Sequence, residues 1–120
     1  MIDFTRADHI NICVPRQKLE DARNFYIDVI GLEQIERPDV FPDPGYWFDI
    51  GNITLHIGVE EIPVITSRHT AFEVADINAA RNQLVKCGVG IIEEPIIPGR
   101  TRFSFLDPFG NRMELLQMDN

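Results

Sequence analysis

The sequence predicts an α+β domain in which one strand, one helix and three further strands occur twice, and three observations carry that expectation. His9-Ile-Asn-Ile-Cys-Val14 and His69-Thr-Ala-Phe-Glu-Val74 have equal length, alternate in strand fashion and open on the same residue. Each is followed by apolar residues at helical spacing and by an Ala-Arg-Asn triplet, Ala22-Arg23-Asn24 or Ala80-Arg81-Asn82. Each half then ends in a hairpin around a Gly-Asn pair, Gly51-Asn52 or Gly110-Asn111. Such a repeat fixes the architecture before any single motif is weighed.

The elements follow in order. In the first helix Leu19, Ala22, Phe25, Tyr26 and Val29 form the apolar stripe, and Gly31 suits the left-handed cap that ends it. In the second the stripe is Ile77, Ala80, Leu84 and Cys87, with Asp76 as N-cap and Gly88 as terminator. Three strand-like runs follow each helix, and their closing segments align: Trp47-Phe-Asp-Ile-Gly-Asn-Ile-Thr-Leu-His56 with Phe105-Leu-Asp-Pro-Phe-Gly-Asn-Arg-Met-Glu114. Module one covers about residues 1–60 and module two about 66–120, with the join in Glu60 to Ser67, where Pro63 interrupts any strand. A helix and four strands cannot bury both faces of their sheet, so two modules, or two chains, must cup around a shared interior.

The bulk properties narrow the function. With 120 residues, 44% hydrophobic and 25% charged, the chain is expected to fold as one soluble domain. Eleven basic against nineteen acidic residues give a net charge of −8, which opposes the phosphate attraction of nucleic-acid binding. No apolar run approaches the roughly 20 residues of a membrane helix, and Met1 to Asp8 carries three charges where a secretory leader is expected to be apolar. A cytoplasmic protein is expected. Cys13 and Cys87 are expected to be reduced, structural thiols.

All three histidines fall at special positions of the repeat. His9 and His69 open the first strand of each module, while His56 and Glu114 occupy matching positions in the last. A lone strand histidine is more often a satisfied core or surface residue. Four donors at two pseudo-equivalent pairs of positions point instead to one divalent cation held by His9, His56, His69 and Glu114. Imidazole and carboxylate suit zinc, nickel, iron(II) or manganese(II), and four such ligands leave open positions for a substrate.

Strand alternation supplies further candidates, because alternate residues share a face. Asn11 and Cys13 follow His9, Ala71 and Glu73 follow His69, and Arg102 and Ser104 face the site with Glu114. Arg102 either holds a substrate carboxylate or phosphate or is a solvated sheet-edge charge. Glu73 either orients a ligand imidazole or is an exposed strand carboxylate. The segment from Phe41 to Phe48, with Trp47, either roofs the cavity or packs under its own loop. Asn11, Trp47, Arg102 and Ser104 are the substrate-binding candidates.

These residues carry a family resemblance. Asp107-Pro-Phe-Gly-Asn-Arg-Met-Glu-Leu115 resembles the final hairpin of the vicinal-oxygen-chelate superfamily, whose members include glyoxalase I, methylmalonyl-CoA epimerase, extradiol dioxygenases, and fosfomycin and bleomycin resistance proteins. Asp8-His9-Ile10 and Arg68-His69-Thr-Ala-Phe72 resemble its two module-opening ligand strands. The resemblance implies paired βαβββ modules forming a cupped, eight-stranded half-barrel around the metal, and a homodimer that in some relatives exchanges modules. It implies a glyoxalase-like lyase or isomerase in which a small oxygenated molecule chelates the metal. His56 stands where the glyoxalase and epimerase branches carry Glu or Gln, which leaves Glu114 as the base. The alternative it implies is an extradiol-type iron(II) dioxygenase with iron on His9, His69 and Glu114 and His56 as acid/base, although Ser104 replaces the usual tyrosine. Asn11 likewise replaces the threonine of the fosfomycin thiol transferases. A metal-free antibiotic-binding module is a further alternative.

Overall fold

A computed structural model describes residues 1–61 and 67–120, so the expected break at Pro63 lies outside the described residues. Eight strands form two mixed four-stranded sheets, ordered β1-β4-β3-β2 and β5-β8-β7-β6. In sheet one, β1 (His9–Val14) lies parallel to β4 (Ile53–Val59), β3 (Tyr46–Ile50) pairs antiparallel with β4, and β2 (Glu33–Ile35) forms the edge. Sheet two repeats the plan with β5 (His69–Glu73), β8 (Arg112–Met118), β7 (Arg100–Leu106) and β6 (Ile92–Glu93). The α+β fold and its paired modules are as the sequence predicts. The eight strands bond as two sheets of four, and no barrel closes.

The helices are unlike each other. In module two, α2 (Ile77–Lys86) begins at Asp76, whose Oδ1 accepts from Ala79 N at 3.0 Å, and stops before Gly88 at φ +80°. In module one, a 3-10 turn at Arg16–Lys18 leads into α1 (Leu19–Asn24), which widens into a π-helical turn at Phe25–Val29 before Gly31 at φ +86°. The widened turn puts consecutive aromatic residues, Phe25 and Tyr26, into the core together.

One face of each sheet builds that core. Val14, Phe48, Leu55 and Ile57 of sheet one and Phe103, Phe105 and Met113 of sheet two are buried with Leu19, Ala22, Phe25 and Tyr26. Each large apolar side chain so buried contributes about 1.5–3 kcal/mol. The modules are also joined by hydrogen bonds. Tyr26 Oη donates to Asp107 Oδ2 at 2.7 Å, and Asn111 Nδ2 donates to Cys13 O at 3.2 Å and to Asp107 Oδ2 at 2.9 Å. Asp107 Oδ1 meanwhile accepts from Phe109 N and Asn111 N, so the hairpin motif knots its own turn and fastens it to module one.

Candidate functional site

Strand alternation leaves the other face of each sheet for the polar residues. With Ile10, Ile12 and Val14 turned to the core, His9, Asn11 and Cys13 take the open face of β1. The register places Asn11 opposite His56 and Trp47 opposite His56 on its other side. On sheet two Phe103, Phe105, Met113 and Leu115 take the core, leaving Arg102, Ser104, Arg112 and Glu114 together with His69 on the open face.

On sheet one, the rings of His9 and His56 stack with centroids 4.0 Å apart, and Trp47 stacks on the far side of His56, also at 4.0 Å. His9 Nδ1 lies 2.9 Å from Asp8 Oδ2, and Asp8 is held in turn by Arg6. A carboxylate can only accept, so Nδ1 carries the proton and Nε2 keeps a lone pair for a ligand. That bond to His9, with Arg6 nearby, holds the Asp8 carboxyl below its usual range. Burial, followed by the His9 charge, lowers the pKa of His56 from 6.5, favouring the neutral ring a metal needs. His56 Nε2 lies 3.2 Å from Thr54 Oγ1.

Phe41, Trp47 and Ile35 wall a cleft of about 520 Å³ around His9 and His56. Phe41 and Trp47 lie 6.0 Å apart, so the aromatic segment borders the histidines and does not merely pack beneath its own loop. Arg37 sits over the Phe41 ring at 4.5 Å and donates to Asp43 O, while Arg16 pairs with Asp43. Gly45 lets this loop lie against β4, where a Cβ would meet Ile57 O at 2.5 Å.

On sheet two, His69 Nε2 faces Glu114 Oε1 at 3.3 Å, and Arg102 Nη1 donates to the same oxygen at 3.1 Å. His69 Nδ1 lies 2.9 Å from Ser67 O, which again fixes the proton on Nδ1 and leaves Nε2 as a donor atom. A ring nitrogen and a carboxylate oxygen thus face each other, atom types that suit two neighbouring ligands of one cation. Glu114 and Arg102 side chains are only 8% and 14% exposed, so Arg102 is no solvated edge charge. Ser104, opposite Glu114, is fully buried.

The chain therefore gathers the four predicted ligands as two pairs, His9 with His56 and His69 with Glu114. Among the described residues no three His, Cys, Asp or Glu side chains of one chain gather to hold an ion. Each pair offers atom types that suit a divalent cation; neither alone supplies three ligands. Asn11 lies on the His9 face, donating to Cys13 Sγ at 3.5 Å, and lines a crevice of about 430 Å³ that also contains His69. Glu73 does not orient His69, since it lines a separate apolar cavity with Val29, Leu32 and Phe72; the Ser67 carbonyl takes that role. Sequence reasoning missed Asp8, Thr54 and Ser67. Asp8 directly precedes His9, and Thr54 lies two residues before His56 on the same strand face, a signal that strand parity contains. Cys13 and Cys87 are free thiols, and burial raises the Cys13 pKa.

Comparison with known proteins agrees with this fold. A glyoxalase family protein from Bacillus anthracis has the same fold with a TM-score of 0.89 and 36% identity, over 99% of this chain and 100% of that one. Lactoylglutathione lyase from Agrobacterium tumefaciens superposes with a TM-score of 0.76 at 18% identity, over 96% and 95%. A fosfomycin resistance protein from Listeria monocytogenes does so with a TM-score of 0.79 at 19% identity, over 98% and 94%. Among curated proteins none matches the chain in sequence. The family model described as the Glyoxalase/Bleomycin resistance protein/Dioxygenase superfamily matches residues 6–115, a span that includes both strand-opening histidines and the closing hairpin, and the chain belongs to that superfamily.

Proposed function

We propose that the protein is a divalent-metal-dependent lyase or isomerase of glyoxalase type acting on a small oxygenated molecule, with His9, His56, His69 and Glu114 as ligands. The observation that carries this reading is the shared proton placement of His9 and His69. Each has Nδ1 occupied by a neighbour that can only accept, so each offers Nε2 on the open face of its sheet. The two pairs lie on different sheets, so we further propose that a homodimer completes each site from His9 and His56 of one copy and His69 and Glu114 of the other.

A bound divalent cation would polarise two oxygens of the substrate and acidify the adjacent C–H. The residues of the chain do the rest. Glu114, held by Arg102 through Oε1, is the group placed to take the substrate proton. His56, clamped between His9 and Trp47, is fixed in orientation. Trp47, Phe41 and Ile35 exclude water from one side of the cleft. A second reading, the iron(II) dioxygenase, is favoured by one contact: His56 Nε2 turned to Thr54 suits an acid/base histidine better than a ligand.

The ligand assignment is tested by metal content. His9→Ala and Glu114→Gln homodimers each lose their metal, whereas their co-expressed mixture regains about a quarter of the wild-type sites, because half of the dimers are mixed and each has one intact site. Metal retained by both single variants, or no recovery in the mixture, overturns the two-copy site. The reaction class is tested by deuterium exchange from solvent into α-hydroxycarbonyl compounds. Metal-loaded protein that exchanges none of them, but consumes oxygen with catechols and ferrous iron, is a dioxygenase.

A further inference from the structure

Among the described residues three buried side-chain polar atoms lack a hydrogen bond: Arg100 Nε, Arg102 Nε and Ser104 Oγ. They occupy alternate positions of one strand, β7, and therefore share the face that carries Glu114. Two are obligatory donors, and the third is a hydroxyl able to donate. Buried donors without acceptors are costly, and three in a row on one strand face are complementary to an oxyanion. The nearby Ser104 hydroxyl, followed by Arg112, holds the Glu94 carboxyl below its usual range, although that contact falls short of full hydrogen-bond geometry. Arg112 on β8 pairs with Glu94, bordering the same patch.

We propose that Arg100, Arg102 and Ser104 form an oxyanion subsite, and that the substrate of the adjoining His69 and Glu114 pair carries a carboxylate, phosphate or phosphonate group. The proposal rests on the reading above that this face is the active-site face. Its chemistry is coupled to the ligand pair through one atom. Glu114 Oε1 is shared by Arg102 Nη1 at 3.1 Å and His69 Nε2 at 3.3 Å, so a cation drawing on that oxygen competes with the guanidinium for its lone pairs. Arg102 would keep its bond to Pro95 O at 2.8 Å and turn its remaining donors to the substrate anion. The cation and the anion should therefore each strengthen the binding of the other.

The test is calorimetric titration of methylphosphonate, an oxyanion without vicinal carbon-borne oxygens, into the protein with and without manganese(II). The wild type binds it, about tenfold more tightly with manganese present. Arg102→Met, checked for folding by its thermal transition, loses about tenfold or more of that affinity in both states and loses the coupling, while its own affinity for manganese does not fall. Ser104→Ala loses anion affinity by a few-fold. Manganese binding with no methylphosphonate binding, or anion affinity equal in wild type and Arg102→Met, overturns the subsite. Anion binding that is sensitive to Arg102 in a protein that takes up no metal supports the subsite and overturns the metal reading alone. If the row is filled by a carboxylate of the second copy, Arg102→Met weakens the dimer and methylphosphonate does not bind, which also overturns it.

Discussion

Tyr26 and Asp107, eighty-one positions apart in the chain, meet in the core, where the phenol donates to the carboxylate at 2.7 Å. Tyr26 is wholly buried and Asp107 is 3% exposed, so neither partner can turn to water. Tyr26→Phe leaves the carboxylate oxygen with Asn111 alone and is expected to cost about 1–3 kcal/mol in urea unfolding. Burial, reinforced by the Asp107 charge, raises the Tyr26 pKa well above 10.0. The unfolded chain then loses the phenolic proton first, so stability is full below pH 10.0 and falls as pH rises above it. Tyr26→Phe should flatten that alkaline limb; an unchanged slope would mean another group drives it.

The acid side has its own probe in His56. Its folded pKa lies below 6.5, chiefly through burial, so the unfolded chain takes up a proton first as pH falls. This contribution is present above pH 6.5 and is lost as pH drops through the folded value. His56→Gln should lessen the loss of stability between neutral and mildly acidic pH, as read from denaturant midpoints at each pH. A larger loss would contradict the assignment of a half-buried ring whose pKa is lowered.

Trp47 is the sole tryptophan and lies flat on His56, with an interplanar angle of 1°. Its fluorescence should therefore respond to binding of nickel or copper at the histidines, saturating with the bound metal, and the response should disappear in His56→Ala. Emission that quenches equally in wild type and variant would place the metal elsewhere.

Asp8 orients His9 through Nδ1 at 2.9 Å. Asp8→Asn, whose amide can still accept but lacks the charge, should lower metal affinity by about 10- to 100-fold in competition with a chelator. Equal affinity would show that the exposed carboxylate is incidental to the ligand.

Much of this was legible because strand parity is a rigid rule. Once His9 and Glu114 were placed on strands, Asn11, Ser104 and Arg102 followed onto the same faces. The hairpins and the glycines at 31 and 88 were legible because a left-handed cap leaves few alternatives. What parity does not contain is distance between sheets. The pairing of His9 with His56, apart from His69 with Glu114, depends on how two modules pack, and that is decided by core contacts such as Tyr26 to Asp107. The π-helical turn at Phe25–Val29 escaped notice because its apolar spacing also fits an ordinary helix. Of the two roles open to Glu73 the structure has the exposed strand carboxylate, because four residues along a strand span about 13 Å, too far to reach the His69 ring.

The anchors of both imidazoles come from the immediate chain neighbourhood, Asp8 beside His9 and Ser67 two residues before His69. Each ring is thus aimed by its own strand, independently of how the sheets are assembled. If the proposed cation binds, it would meet at either half an imidazole whose rotation is already restrained, so its capture would forfeit little side-chain freedom. Ring orientation is thus a property of each half taken alone.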